Sequence, residues 1–111
     1  MVINDTQLDL VFGALSDATR RSMLARLSEH DMNITTLAEP YGISQPAISR
    51  HVRVLEEAGL IERRKKGREY IIHANPVPAE KARDWIDYYT RFWKQQFDAV
   101  EEHLKKDEDN T

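Results

Sequence analysis

Thr36-Leu37-Ala38-Glu39-Pro40-Tyr41-Gly42-Ile43-Ser44-Gln45-Pro46-Ala47-Ile48-Ser49-Arg50-His51 is the stretch on which the reading of this chain turns. Thr35 or Thr36 opens a helix, and Thr36-Leu37-Ala38-Glu39 has the form of a capping box, with a hydroxyl and a carboxylate serving backbone N–H groups at the helix start. Pro40 and Gly42 hold that helix to about two turns. Ser44 is a good cap for a second helix, and Pro46 falls in its first turn, where a missing N–H costs little. That helix runs to Ala58, and Gly59 supplies the left-handed residue that commonly ends one. Residues 35–58 therefore form a helix-turn-helix unit.

The second helix separates its residue types by face. At about 100° per residue, Gln45, Pro46, Ser49, Arg50 and Arg53 share an arc of about 140°. Ala47, Ile48, His51, Val52, Val54, Leu55 and Ala58 take the opposite side. One side can pack while the other offers hydrogen-bonding groups. Arg50 can serve guanine O6 and N7, Gln45 can pair with adenine, and the Pro46 ring can touch a thymine methyl. The pattern leaves open which of these occurs, and an ordinary amphipathic helix with a solvated polar face has the same pattern.

Immediately downstream, Leu60 to Lys66 and Arg68 to His73 are two extended segments broken at Gly67, a hairpin within 60–74. Its tip, Arg63-Arg64-Lys65-Lys66-Gly67-Arg68, places five cations in six residues. Lys and Arg on such a projection suit a phosphate backbone beside a groove holding the second helix, although a basic tip also protects a sheet edge. The two features together favour double-stranded DNA as partner. The DNA-contacting set is then Thr35, Ser44, Gln45, Pro46, Ser49, Arg50 and Arg53, with Arg63, Arg64, Lys65, Lys66 and Arg68 on the hairpin.

Upstream, residues 7–30 hold two helices. Leu8, Val11, Phe12 and Leu15 line one face of the first, and Asp17 caps the second, whose apolar face carries Met23, Leu24 and Leu27. Ile34, apolar and isolated, reads as a very short strand. A long last helix over 79–105 follows Asn75-Pro76-Val77-Pro78, and 106–111 reads as a disordered acidic tail. Trp85, Tyr88, Tyr89, Phe92, Trp93 and Phe97 put six of nine aromatics within thirteen residues. With Val100 and Leu104 they cover about half of the helix circumference. A domain this small has too little core for all those rings, and aromatics favour protein contacts. The last helix, joined by the apolar face of the first, is the expected homodimer interface; an aromatic-rich internal core and a pocket for a hydrophobic effector are the alternatives. A twofold dimer would set two recognition helices about 34 Å apart on an inverted repeat.

The whole chain, 111 residues, suits a single domain, mainly α with a small hairpin. It has no cysteine, which excludes disulfides and thiolate chemistry and fits a reducing cytoplasm. Nothing approaches a membrane span or a secretion signal. The net charge of −3 hides an asymmetry: residues 20–73 hold ten Lys/Arg against seven Asp/Glu, and the remainder six against twelve. No nucleophile–base pairing, glycine-rich phosphate loop or paired-carboxylate motif points to an enzyme. No cofactor is expected.

Leu15-Ser16-Asp17-Ala18-Thr19-Arg20-Arg21, the helix-turn-helix from Leu37 to His51, and Val54-Leu55-Glu56-Glu57-Ala58-Gly59-Leu60-Ile61 resemble the ArsR (SmtB/ArsR) family of winged helix-turn-helix repressors, over roughly residues 7–105. The resemblance implies a homodimer that binds an operator, often its own promoter, and is released by an effector. It implies that Gln45, Pro46, Ser49 and Arg50 face the major groove and that the hairpin around Gly67 is the wing. The sensing site departs from the pattern. Where many members place cysteines, this chain has Asn33 to Ala38, and its last helix carries a single histidine, His103, so no metal site is expected. The chain is similar to the cysteine-free members with an aromatic-rich last helix. A winged-helix module contacting an acidic protein is the competing function, and activation is not distinguished from repression.

Overall fold

The computed structural model describes residues 5–109. Five helices and a small antiparallel sheet follow in the order α1 (Thr6–Leu15), α2 (Ala18–Glu29), β1 (Met32–Asn33), α3 (Ile34–Ala38), a 3-10 turn (Glu39–Tyr41), α4 (Gln45–Glu57), β2 (Ile61–Lys66), β3 (Glu69–Ala74) and α5 (Val77–Asp109). The strand order is β1-β3-β2. This is a winged helix-turn-helix.

Side-chain caps set the helix boundaries. Asp5 accepts from the Leu8 N–H at 3.0 Å and Asp17 from the Arg20 N–H at 3.1 Å. The last carbonyls of α1 are met from α2: Arg20 donates to Ala14 O (2.8 Å) and, beside the Ser16 cap, to Gly13 O (3.1 Å), and Arg21 donates to Leu15 O (2.7 Å). The Asp-Ala-Thr-Arg-Arg stretch is thus a joint between two helices.

Three sequence expectations shift here. The short strand is Met32–Asn33, and Ile34 opens α3. Asn33 rather than a threonine caps that helix, its side chain accepting from the Thr36 N–H at 2.8 Å. Asn33 is extended by its pairing with Ile71, which sets its carboxamide over the first turn, three residues ahead of the start of the expected box. Glu39 consequently lies beyond α3, in the 3-10 turn. In a continuing α-helix Thr36 O would accept from residue 40, but Pro40 has no N–H. Arg26 fills the gap from α2, donating to Thr36 O (3.1 Å) and Leu37 O (2.7 Å) with its guanidinium over the Tyr41 ring. Gly42 then takes φ 60, the left-handed backbone that turns the chain toward Ser44.

The core sits between α2, α3, α4 and the sheet: Met23, Leu27, Leu37, Ile48, Val52, Leu55, Leu60, Ile61 and Ile72, closed on one side by Val11 and Ala14 of α1. Fully burying an aliphatic side chain of this size contributes about 1.5–3 kcal/mol. From α5 only Ala82 is fully buried in this cluster. The extents are 76 × 29 × 23 Å and the radius of gyration is 20.4 Å, against about 13 Å for a compact chain of this length. The difference is α5, whose 33 residues span about 50 Å.

The tail expected to be disordered from residue 106 continues α5 through Asp109, while Asn110 and Thr111 lie outside the described residues. Pairs at i,i+4, Glu101–Lys105 (3.9 Å) and His103–Asp107 (3.5 Å), support this last stretch, and Lys106 complements the helix dipole. Among the described residues no helix is long and apolar enough to cross a membrane.

Candidate nucleic-acid interface

Ser44 caps α4 by accepting from the Ala47 N–H, and Pro46 occupies the first turn. Ile48, Val52 and Leu55 are buried beneath the helix. Gln45, Pro46, Ser49, Arg50 and Arg53 lie exposed along its open side, and Thr35 of α3 is exposed as well. Among the described residues Gln45, Ser49, Arg50 and Arg53 make no side-chain hydrogen bond or ion pair. The open side therefore offers amide, hydroxyl and guanidinium groups with unspent hydrogen-bonding capacity.

The packing side is pinned by contacts that the sequence reading did not foresee between residues it had named. His51 Nδ1 lies 3.2 Å from Arg20 Nη1 and 3.9 Å from Asp17 Oδ1, so the joint that closes α1 also touches α4. The Arg20 backbone N–H, and secondarily its charge, hold the Asp17 carboxyl below the usual carboxylate range. The available signal was an arginine three residues after a capping aspartate, placed to reach back to the preceding helix.

Beside α4, β2 and β3 pair from Ile61↔Ala74 to Lys66↔Glu69. Gly67 holds φ 65 at the first turn position, as primed hairpin turns require. Arg64 is 3.4 Å from Glu62, while Lys65, Lys66 and Arg68 are exposed and without an ion pair among the described residues. Arg63 departs from the expected projecting set. It lies opposite Ile72, hence on the face of the hairpin turned to the core, and its Nε and Nη2 sit 2.7 and 2.6 Å from Glu56 Oε1 of α4.

The second surface is the helix pair α1–α5. Asp5 and Lys81 form an ion pair at 2.8 Å, and Phe12 meets Trp85 edge-on at 6.0 Å. The ring contacts continue along α5 through Trp85–Tyr89 (5.3 Å), Tyr89–Trp93 (5.9 Å) and Trp93–Phe97 (6.4 Å). Tyr88, Tyr89, Phe92, Trp93, Phe97, Val100 and Leu104 nonetheless remain 43–69% exposed. An internal aromatic core is thereby corrected: these rings stack on one another along the helix and lie open on the outside. Val11 is a second correction. It is fully buried within the protomer and so unavailable to a partner, while Leu8 and Leu15 are partly buried against the same core. Leu10 and Ile86 are exposed, and the sequence reading missed both. Ile86 stands seven residues before Trp93 and eleven before Phe97, a spacing that puts it on their stripe.

Among the described residues no three His, Cys, Asp or Glu side chains converge as a metal site would need.

Residues 15–64, from the end of α1 into β2, match a family model described as a helix-turn-helix domain. The transcriptional repressor SdpR of Bacillus subtilis (strain 168) is 36% identical over 76 residues, which take in 68% of this chain and 84% of that protein. A crystal structure of an ArsR family transcriptional regulator superposes with a TM-score of 0.77 at 31% identity, covering 85% of this chain and 97% of that one. An ArsR-like transcriptional regulator from Rhodococcus sp. RHA1 superposes at 0.74 and 32% identity, over 85% of this chain and 89% of its own. With identity at this level across most of both partners in each comparison, the chain belongs to the ArsR family of winged helix-turn-helix, DNA-binding transcriptional regulators.

Proposed function

We propose that the protein is a homodimeric repressor of an inverted-repeat operator. The observation that carries this reading is the open side of α4, where Gln45, Ser49, Arg50 and Arg53 are exposed and unbonded while the opposite side is buried. The N-terminal two turns of α4, free of acidic residues, enter the major groove, where Arg50 and Gln45 reach base edges. Thr35 and Ser44 flank the groove at the start of the unit, and Lys65, Lys66 and Arg68 meet the adjoining phosphates, with Arg64 beside them. Pairing runs through α1 and α5. Phe12, Trp85, Tyr88, Tyr89, Phe92, Trp93 and Phe97, continued by Val100 and Leu104, supply a run of apolar side chains, most of them exposed, of the kind that marks a protein contact. Repression is the activity in the name of SdpR, and the same activity is proposed for this chain.

Selection of bound duplexes from random DNA tests groove, symmetry and spacing together. The expected product is an inverted repeat with half-sites about one helical turn, roughly 34 Å, apart. Arg50→Ala should cost about 1–3 kcal/mol on that duplex and relax the preference at one base pair per half-site. Absence of enrichment, or enrichment of an asymmetric site, would refute it.

A specific observation also favours a small hydrophobic effector. A mainly apolar pocket of about 440 Å³ opens where α5 leaves the head, lined by Leu15, Leu24, Leu27, Leu60, Pro76 and Ala79, with Ser28, Asp31 and Asn75 also in its wall. It is aliphatic rather than aromatic, and a ligand there would bear on the angle between α5 and the helix-turn-helix.

A further inference from the structure

The angular position of Glu56, eleven residues after Gln45, places it within about 20° of Gln45 on the groove side of α4. It stands at the negative end of the helix dipole, and the last turn of α4 contains no basic residue. A bare carboxylate there would be disfavoured by the helix and would repel phosphate. Arg63 answers it from the hairpin, with two nitrogens on one carboxylate oxygen at 2.7 and 2.6 Å. We propose that Glu56 is a specificity-setting positioning residue: it withholds Arg63 from the DNA backbone and fixes the wing against the recognition helix. The proposal rests on the DNA-binding reading and deepens it. Phosphate contacts carry affinity without sequence information, so withholding one cation lowers non-specific binding more than it lowers operator binding. The pair also couples the groove-reading helix to the phosphate-reading hairpin, so that both engage in one register.

Salt dependence separates this role from a phosphate contact or from simple stabilisation. Wild type, E56Q, R63Q and the double variant are titrated with the duplex selected by the wild type and with a scrambled duplex of equal length, across salt concentrations. In E56Q the freed Arg63 should steepen the log–log salt slope on scrambled DNA by about 0.9, tighten that binding about three- to tenfold near 0.1 M salt, and narrow the operator-to-scrambled ratio similarly. R63Q should leave the slope unchanged and weaken both duplexes a few-fold, because Glu56 then faces phosphate uncompensated. The double variant, losing one charge of each sign, should return close to the wild-type slope. A slope shallower by about 0.9 in R63Q would overturn the proposal by making Arg63 a phosphate contact, as would an unchanged slope and ratio in E56Q. Each single variant decides the matter alone, so an unfolded one does not remove the test. Wild-type protein that enriches no duplex counts against the operator reading, while the slopes on scrambled DNA still judge Arg63.

Discussion

The head of the molecule and the far half of α5 are built from the same helical backbone to opposite ends. In the head, apolar side chains close on one another, and stranded carbonyls at the ends of α1 and α3 are met by Arg20, Arg21 and Arg26. Beyond Trp85, every residue of α5 through Glu108 is exposed, its rings stacked only along their own helix. The head closes its apolar faces within one protomer; the far half of α5 leaves its apolar stripe open, the face proposed to pair. The same residue type should therefore have different consequences in the two regions: an apolar group removed from the head should cost folding, and one altered on α5 should cost the proposed association.

The largest expected effect tests the head. Leu55→Ala leaves a cavity under α4 and should cost about 2–5 kcal/mol of folding free energy. Phe97→Ala, though it deletes a larger side chain, should cost the isolated protomer under about 1 kcal/mol, since that ring is mostly solvated. Denaturant melts at protein concentrations low enough to prevent association make the comparison, and equal losses would erase the distinction between the regions. Next comes association. Trp93→Glu sets a carboxylate amid Tyr89, Phe92 and Phe97, and should weaken self-association by at least about 3 kcal/mol, on the scale of an interface hot spot. Sedimentation equilibrium reads this directly. A wild-type protein that stays monomeric at micromolar concentrations would remove α5 as a pairing element.

The contrast itself could be read from the order of residue types. Periodicity gave α1, α2, α4 and α5, and the Ser44 cap with Pro46 set the start of the recognition helix to the residue. The open side of α4 followed from the same arithmetic, because on a straight helix angle decides exposure. What escaped the reading was set by contacts distant in sequence. Asn33 took over the cap of α3 because of a pairing with Ile71, and Arg63, expected to project freely from the tip, instead meets Glu56 of α4. Val11 matched the pairing-face period but points into the core, since α1 has two apolar neighbours and a helical repeat does not say which one a residue meets. The acidic end of α5 reads as disordered by composition, whereas the helix continues to Asp109 with Glu101–Lys105 and His103–Asp107 in contact at i,i+4.

A middle-sized effect probes how the head orients its short helix. Arg26 spends two nitrogens on the carbonyls of Thr36 and Leu37, which Pro40 and the tightening of the chain leave without helical donors. Arg26→Lys keeps the charge but cannot reproduce the fork. It should lose about 1–2 kcal/mol and lower DNA affinity, because α3 sets the pose of α4. Thermal melting and operator titration report the two consequences, and a loss of neither would show that the 3-10 turn holds itself.

The smallest effect lies at the seam between the two regions. Asp5 accepts from the Leu8 N–H in α1 and pairs with Lys81 of α5 at 2.8 Å, the Lys81 contact being the main cause of its lowered pKa. A carboxyl depressed in the folded state contributes stability that is fully present above its unfolded pKa of about 3.9 and is lost as pH falls through the lower folded value. The melting temperature should thus drop more steeply below about pH 4 in the wild type than in Asp5→Asn, which has no such proton to take up. Asp17, depressed chiefly by the Arg20 N–H within the head, has the same sign, and Asp17→Asn preserves a cap while removing the titration. The two variants differ in what acidification loosens. Protonating Asp17 bears on the α1–α2–α4 joint, whereas protonating Asp5 removes an ion pair between α1 and α5, next to the proposed pairing face. Self-association of the wild type should therefore weaken on acidification ahead of the loss of the head's helical signal, and Asp5→Asn should show no such separation. Coincident transitions in both proteins would mean that the seam does not act independently of the head.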